Sequence, residues 1–433
     1  YPENPEAGID LFLEKLVQET EKEHEDILEQ ADETDAMFGE LYSWYLRNPE
    51  YRSRVQKLVQ SAFAGKPEDI ISQSVAKALY GEVSPYSATR LERFAACAFA
   101  HFLQYGMKLT ERVEYEFKPM DMGNVMHGAL ESFAEEVRKK GMKWTELTEQ
   151  ERNEIADRCL DNIVADYGNT VLKSSARNEY MIERTRRILR RTVWALQKQL
   201  EQGEFQPEGF EVTFGGGRID RVDIMEDQNK VYVKVIDYKT GNTSFDLVYL
   251  YHGLQLQLMI YLDGALRVEQ KKYPDKEIIP AGVFYYNIKD PMIQEKIDAD
   301  VEAVSAGLMK ELKMNGLAQA DPELVYRMDS SLGSIPVAFN KDGSFRKNSS
   351  VADRTQFAVL GRYVRTKIEK IRSSILEGDA EVSPYELGKK NACTYCPYMT
   401  VCGFDRRLSG YEFRRLKNFS DEELWKAFDR EAE

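Results

Sequence analysis

The segment formed by residues 217–241 constrains the fold most, because it reads as a β-hairpin with acidic residues on both strands. Two runs of alternating and apolar residues flank a polar, turn-like tetrapeptide at residues 226–229, a pattern typical of a hairpin. If the turn consists of residues 228–229, Asp220 and Asp237 lie opposite each other on the two strands. Their Cβ atoms are then roughly 5 Å apart.

The chemistry of this acid pair indicates a cation site. Two carboxylates at such a distance repel each other unless a cation lies between them, and a divalent ion is the usual partner. Lys239 lies two residues beyond Asp237 and shares its face of the strand. An acid pair with a neighbouring lysine suits metal-assisted attack of water on a phosphodiester. The alternative interpretation is a surface hairpin held by a salt bridge.

Length and composition limit the class of protein. At 433 residues, 42% hydrophobic and 11% aromatic, the chain can bury a large core and fits an ordinary globular protein. The net charge of −14 argues against a general nucleic-acid binder, although a metal site and local basic patches can still hold a phosphate backbone. No apolar run approaches the roughly 18 residues of a membrane span, and the polar N-terminus lacks a signal peptide. Because the first residue is Tyr rather than Met, we expect a fragment of a longer protein.

One short helical stretch concentrates positive charge. Two interpretations are open: a solvated helix face with ion pairs inside the chain, and a surface that contacts DNA. The arginines concerned are Arg184, Arg186, Arg187, Arg190 and Arg191.

Apolar spacing and turn signals predict an α/β fold with a small mixed sheet and extensive helical additions. Residues 1–80 are predicted to be helical, and residues 81–85 mark a boundary. Beyond it, Ser87 is the candidate N-cap of a helix that carries Cys97. A second helix has His127 near its N-terminus.

The predicted sheet lies in the middle of the chain. Its strands fall within residues 209–238, followed by one long amphipathic helix over residues 246–267 and a further strand over residues 281–287. Helices dominate from residue 300 onward, apart from a loop at residues 341–350.

The cysteines are too few for a disulfide-stapled secreted protein, but their spacing indicates a metal site. Cys393, Cys396 and Cys402 form a C-x2-C-x5-C motif, Cys97 lies far upstream, and Cys159 stands alone in a helical stretch. Four thiolates can hold either Zn²⁺ or an iron–sulfur cluster, and spacing alone does not decide between them. If Cys97 joins the other three as a ligand, the metal closes a loop of about 300 residues and should stabilise the fold. Cys159 is then a buried free thiol.

Further polar residues belong near the acid pair. Gln257 and Tyr261 are four residues apart on one helix face and can orient a water or a phosphate oxygen, although either also suits the boundary of a core. With His127 and the two aspartates, the site could bind Mg²⁺ or Mn²⁺. Asp223 faces the other side of its strand and is predicted to be structural. Glu211 either supports the site or is an exposed strand residue.

These motifs carry a resemblance to a known family. Four motifs occur in the order seen in RecB-type nucleases of the PD-(D/E)xK superfamily. They are G-x3-H, which ends at His127; GRIDRVD, which contains Asp220; DYK, which contains Asp237 and Lys239; and Q-x3-Y, which begins at Gln257. One cysteine before these motifs and a C-x2-C-x5-C after them resemble the iron–sulfur staple of AddB-type subunits of bacterial helicase–nucleases. The resemblance covers residues 84–415.

The resemblance implies a metal-dependent DNA exonuclease that acts in double-strand-break repair, with the nuclease domain in residues 81–433 and the tail of a helicase-like region in residues 1–80. It also implies DNA and an AddA-type helicase subunit as partners, a bacterial cytoplasmic location, and the 5′-terminated strand as substrate. The implied site residues are His127, Asp220 and Asp237 as ligands of Mg²⁺ or Mn²⁺, Lys239 as the catalytic lysine, Gln257 and Tyr261 as the remaining motif residues, and Cys97, Cys393, Cys396 and Cys402 as ligands of a [4Fe–4S] cluster.

Two alternatives stay open at this stage. One is a stand-alone nuclease similar to the CRISPR-associated iron–sulfur exonucleases, which share these motifs. The other is a nuclease-fold scaffold that binds DNA ends or a partner subunit without cutting.

Overall fold

The computed structural model describes residues 33–62, 70–81, 87–110, 119–166, 175–215, 217–293, 300–408 and 410–432. Its α-helices are α1 (Glu33–Arg47), α2 (Pro49–Ala62), α3 (Gln73–Tyr80), α4 (Ala88–Ala96), α5 (Ala98–His101), α6 (Pro119–Lys139), α7 (Glu149–Asp166), α8 (Ala176–Glu201), α9 (Leu247–Tyr251), α10 (Gln257–Lys272), α11 (Val301–Glu311), α12 (Pro322–Met328), α13 (Arg354–Glu377), α14 (Met399–Cys402) and α15 (Asp421–Ala432). None of these helices is both long and apolar enough to cross a membrane.

A mixed sheet lies at the centre of the fold, with its strands in the order β1 to β6 along the chain. The pairs β3–β4 and β5–β6 are parallel, and the other neighbours are antiparallel. A smaller sheet has the order β8-β7-β9. The strands are β1 (Gln206–Phe214), β2 (Gly217–Asp227), β3 (Lys230–Lys239), β4 (Glu277–Asn287), β5 (Asn315–Gln319), β6 (Val351–Ala352), β7 (Tyr385–Leu387), β8 (Lys390–Asn391) and β9 (Arg414–Arg415).

The β2–β3 hairpin has the predicted register. Asp227 pairs with Lys230, so the two-residue turn is Gln228–Asn229, and the ladder runs to the pair formed by Arg221 and Ile236. One face of this hairpin packs under α10, and the other face packs under α6 and α8. Because both faces are buried, the charged side chains of Arg221, Asp223 and Lys234 pair with one another inside the fold.

The helix predicted over residues 246–267 is in fact two helices, α9 and α10, so that prediction is wrong. Asp246 caps α9 by accepting the backbone N–H of Val248, as a good N-cap should. The chain then turns at Gly253, whose φ of +79° is readily available only to glycine. The break lets α10 begin at Gln257, beside the end of β3.

The helical prediction for the N-terminal part is confirmed where the structure describes it, while residues 1–32 lie outside the described residues. Helices α1 and α2 form a small apolar cluster around Tyr45 and Val55. Helix α3 instead places Ala76 and Tyr80 in the main core with the hairpin. The predicted boundary at residues 81–85 falls almost wholly outside the described residues, and the division of the chain there stays a prediction.

The arginine-rich stretch lies on α8 and is largely neutralised within the chain. Arg186 and Arg190 pair with Asp157 on α7, and Arg187 and Arg191 face Asp290. Acidic partners already surround these guanidinium groups, which favours the interpretation as an ion-paired helix face.

Candidate metal centre

The two hairpin aspartates lie at the end of the β2–β3 ladder, one position beyond its last pair. Asp220 Oδ2 accepts the backbone N–H of Tyr238 at 2.7 Å, which fixes this carboxylate against the neighbouring strand. Both aspartates are buried. The predicted placement on adjacent strands is therefore confirmed, and the interpretation as a surface salt bridge is wrong.

An imidazole and a second carboxylate converge on Asp220. His127 Nδ1 lies 3.4 Å from Asp220 Oδ2 and 3.7 Å from Glu211 Oε1. Within the part of the chain that the structure describes, these three residues form the group whose ligand atoms all lie within 4.8 Å of one another. One nitrogen and carboxylate oxygens suit Mg²⁺ or Mn²⁺, so these residues fit such an ion.

The alternative that Glu211 is an exposed strand residue is wrong, because its side chain is only 7% exposed. The backbone of Glu211 has a φ of 49°, a left-handed value that is uncommon outside glycine. Glu211 falls between the ladder pairs made by Phe210 and Val212. Arg218 forms an ion pair with the Glu211 carboxylate from the next strand. A local irregularity in β1 thus accompanies a third acidic side chain at the site.

His127 enters this site from α6. The helix begins at Pro119, so His127 lies more than two turns inside it rather than near its N-terminus. Its ring also contacts the Tyr238 ring edge-on, with 6.0 Å between the ring centroids. Burial disfavours the charged imidazole, but the carboxylates of Asp220 and Glu211 outweigh this and raise the pKa of His127 to about 10.

Asp237 lies next to the group of three. Burial, reinforced by the charge of Asp220, raises the pKa of Asp237 to about 7. Its Oδ2 faces Lys239 Nζ at 2.6 Å. Direct ligation of a metal by Asp237 stays a prediction.

The predicted lysine, glutamine and tyrosine form one chain of contacts. Lys239 Nζ donates to Gln257 Oε1 at 2.7 Å, and Gln257 Nε2 donates to the Tyr261 hydroxyl at 2.8 Å. Lys239 Nζ also lies 5.4 Å from the centre of the Tyr285 ring. The ammonium group is therefore held on several sides beside Asp237, as a group that acts on a developing charge requires.

The sequence did not indicate Glu92, which also belongs to this region. Glu92 lies on α4 and accepts the backbone N–H groups of Leu256 and Gln257 at 2.7 and 3.0 Å. Burial raises its pKa to about 7, against the lowering effect of these two hydrogen bonds and of the Lys239 charge. Neither periodicity nor a motif links a glutamate to backbone groups so far along the chain.

The four cysteines predicted to act together line one pocket between the start of α5 and the loops around α14. Its cysteine lining is Cys97, Cys393, Cys396 and Cys402. Cys97 lies at the junction of α4 and α5 rather than within a helix. Tyr398 packs beside it, and the Tyr398 hydroxyl donates to the carbonyl of Leu109 at 3.0 Å.

Cys159 stands apart from this pocket. It is buried on α7, with its Sγ 3.8 Å from Glu136 Oε2, and burial raises its pKa to about 11. The prediction of a buried free thiol is confirmed.

Asp223 pairs with Arg221 on its own strand and with Lys234 on β3, at 2.6 and 2.9 Å. All three side chains are buried. The prediction that Asp223 is structural is confirmed.

Comparison with known proteins shows which protein family the chain belongs to. Residues 85–403 match the PD-(D/E)XK nuclease superfamily. The chain is 41% identical over 93% of its length to a subunit of the ATP-dependent helicase/deoxyribonuclease from Lachnoclostridium phytofermentans, and the match covers 36% of that relative. It is 34% identical over 92% of its length to the equivalent protein from Alkaliphilus metalliredigens, of which it covers 37%. The chain thus spans little more than a third of the length of these relatives. The resemblance predicted from the motifs is confirmed.

Proposed function

Because the chain belongs to the PD-(D/E)XK nuclease superfamily, we propose that it is a metal-dependent DNA exonuclease. The observation that carries this proposal is the convergence of His127, Glu211 and Asp220 beside Asp237, with Lys239 held next to them. A scaffold without catalytic activity has no need for an ammonium group fixed beside an acid cluster.

The residues that would hold Mg²⁺ or Mn²⁺ are His127, Asp220 and Glu211, whose ligand atoms lie together, and Asp237 beside them. When bound, such an ion polarises the scissile phosphate and lowers the pKa of the attacking water. The protein contributes a rigid set of ligands: Asp220 is fixed by the Tyr238 N–H, and Glu211 by Arg218.

Lys239 supplies the second catalytic element. Its Nζ lies between Asp237 Oδ2 and Gln257 Oε1, so that the ammonium can orient the attacking water or stabilise negative charge that develops on the phosphate. Tyr261 fixes the Gln257 amide by accepting from its Nε2. Gln257 and Tyr261 therefore act by positioning Lys239.

For the cysteine pocket we propose a [4Fe–4S] cluster on Cys97, Cys393, Cys396 and Cys402. All four thiols line one pocket, so they can share one inorganic centre. Four thiolates suit either a zinc ion or an iron–sulfur cluster. The resemblance of the cysteine spacing to the iron–sulfur staple of AddB-type subunits favours the cluster.

The wider biological role follows from the names of the relatives, which are called subunits of an ATP-dependent helicase/deoxyribonuclease. We infer that DNA ends unwound by a helicase partner of the AddA type are the substrate, within double-strand-break repair in the bacterial cytoplasm. The 5′-terminated strand is the proposed polarity.

Cleavage of labelled single-stranded DNA tests the central proposal. The purified chain should shorten the DNA with Mg²⁺ or Mn²⁺ and stop when EDTA is added, and labels at the 5′ or 3′ end give the polarity. A chain that binds DNA but forms no metal-dependent product would be a scaffold instead.

The composition of the cysteine site is decided by iron and sulfide analysis together with a visible absorption spectrum. Zinc without iron would replace the cluster proposal and leave the nuclease proposal standing.

A further inference from the structure

Helix α10 begins without a cap of its own. The residue before it, Leu256, has no side chain that can accept a hydrogen bond, so the first N–H groups of the helix need another partner. Glu92 provides that partner from α4, accepting the N–H groups of Leu256 and Gln257 through a single carboxylate oxygen. A carboxylate at this end of a helix is also favoured by the helix dipole.

Gln257 connects Glu92 to Lys239, because its backbone contacts Glu92 and its side chain contacts Lys239. Gln257 donates its N–H to Glu92 Oε1 and accepts from Lys239 Nζ through its amide oxygen. The position of the Lys239 ammonium relative to Asp237 thus depends on the first turn of α10. Glu92 fixes that turn through its two hydrogen bonds.

We propose that Glu92 is a positioning residue for Lys239, acting through the first turn of α10. This inference rests on the proposed nuclease function and deepens it, since it adds a residue that does not touch the substrate. A shift of about 1 Å in a reacting group can lower a rate by roughly 100-fold, so that loss of the two hydrogen bonds should be visible in kcat.

Two variants of the full 433-residue chain separate hydrogen bonding from charge. Glu92→Ala removes the acceptor, whereas Glu92→Gln keeps an amide oxygen that can accept the same two N–H groups. We expect Glu92→Ala to lower kcat by about 10- to 100-fold with KM for DNA unchanged within about twofold, and Glu92→Gln to restore most of the rate. Hydrogen exchange at the Leu256 and Gln257 amides should be faster in Glu92→Ala and close to wild type in Glu92→Gln.

Glu423→Ala is the matched control, because Glu423 likewise accepts a backbone N–H at the start of a helix, that of Ser420 before α15. It should leave kcat unchanged. Thermal melting of each variant shows whether it is folded. A wild-type kcat in folded Glu92→Ala, or an equal loss in Glu92→Gln with normal amide exchange, would overturn the positioning role alone. Failure of the wild-type chain to cleave with either metal ion overturns the nuclease proposal, and the role of Glu92 with it.

Discussion

The acidic site and the cysteine pocket are assembled over very different distances along the chain. Asp220 and Asp237 lie on two strands joined by a two-residue turn, so that one hairpin register places them. Cys97 and Cys393 come from opposite ends of the nuclease region and meet only after the intervening sheet and helices have packed. The first site is a local property of the sequence, and the second is a property of the completed fold.

The largest expected effect concerns the cysteine pocket and the free energy of unfolding. We expect Cys393→Ala to remove the metal and lower the free energy of unfolding by about 5 kcal/mol, because the closed loop contains about 300 residues. Iron analysis and urea unfolding measure both quantities. Cys159→Ala is the control, since this buried thiol lies outside the pocket and its removal should leave the iron content unchanged. Equal stability of Cys393→Ala and the wild type would show that the pocket does not close the loop.

Catalysis should respond most to the acidic site. Lys239→Ala should lower kcat by about 10²- to 10³-fold in a chain that still folds, because it removes the ammonium that stabilises developing charge. Single-turnover cleavage of labelled DNA measures the effect. The matched control is Lys276→Ala, which breaks an ion pair with Glu226 near the hairpin turn. Similar losses in both variants would mean that the effect of Lys239 is not specific.

Glu211 tests how far the acidic site extends beyond the hairpin. We expect Glu211→Gln to weaken Mn²⁺ binding by about 10- to 100-fold, because one of the carboxylates near the ion loses its charge. A Mn²⁺ titration of the cleavage rate gives the apparent affinity. Glu208→Gln on the same strand changes an ion pair with Lys272 and should have no such effect. An unaltered titration in Glu211→Gln would exclude Glu211 as a ligand.

The acidic site should also respond to pH. The pKa of Asp237 is raised from 3.8 to about 7, so between these values the metal-free fold binds more protons than the unfolded chain and loses stability as the pH rises. The pKa of His127 is raised from 6.5 to about 10, so its stabilising effect is complete below pH 6.5 and is lost as the pH rises towards 10.

A metal ion must displace these protons. The apparent affinity for Mg²⁺ should therefore increase with pH between about 6 and 9, by up to about tenfold per pH unit for each proton released. Calorimetric titrations in buffers of different ionisation enthalpy count the protons. An affinity that does not change over this range would contradict the assignment of His127 and Asp237.

The separation of the site residues along the chain also explains which parts of the two sites the sequence could predict. The alternation of side chains and the turn at residues 228–229 place Asp220 opposite Asp237 without any knowledge of the rest of the fold. The position of Gln257 relative to Tyr261 follows in the same way from the period of a helix. Convergence of the four cysteines followed only from a resemblance, because spacing contains no information about which distant residue joins the trio.

Two site residues depended on features that patterns do not record. Glu211 belongs to the acidic group through an irregular backbone with a φ of 49°, which no residue preference in β1 predicts. Glu92 acts on backbone N–H groups, which are the same for every residue type. The break between α9 and α10 had a visible signal in Gly253, whereas the short strands β5 and β6 extend a sheet whose edge is set by tertiary packing.

The position of Cys97 has a consequence for biosynthesis. A ribosome releases the chain from its N-terminal side, so Cys97 emerges before the other three cysteines of the pocket and meets them only after Cys402 has left the exit tunnel. An inorganic group held by all four cysteines, as proposed above, could then be inserted only after Cys402 has been translated. A product truncated before Cys393 would lack three of the four cysteines that line the pocket.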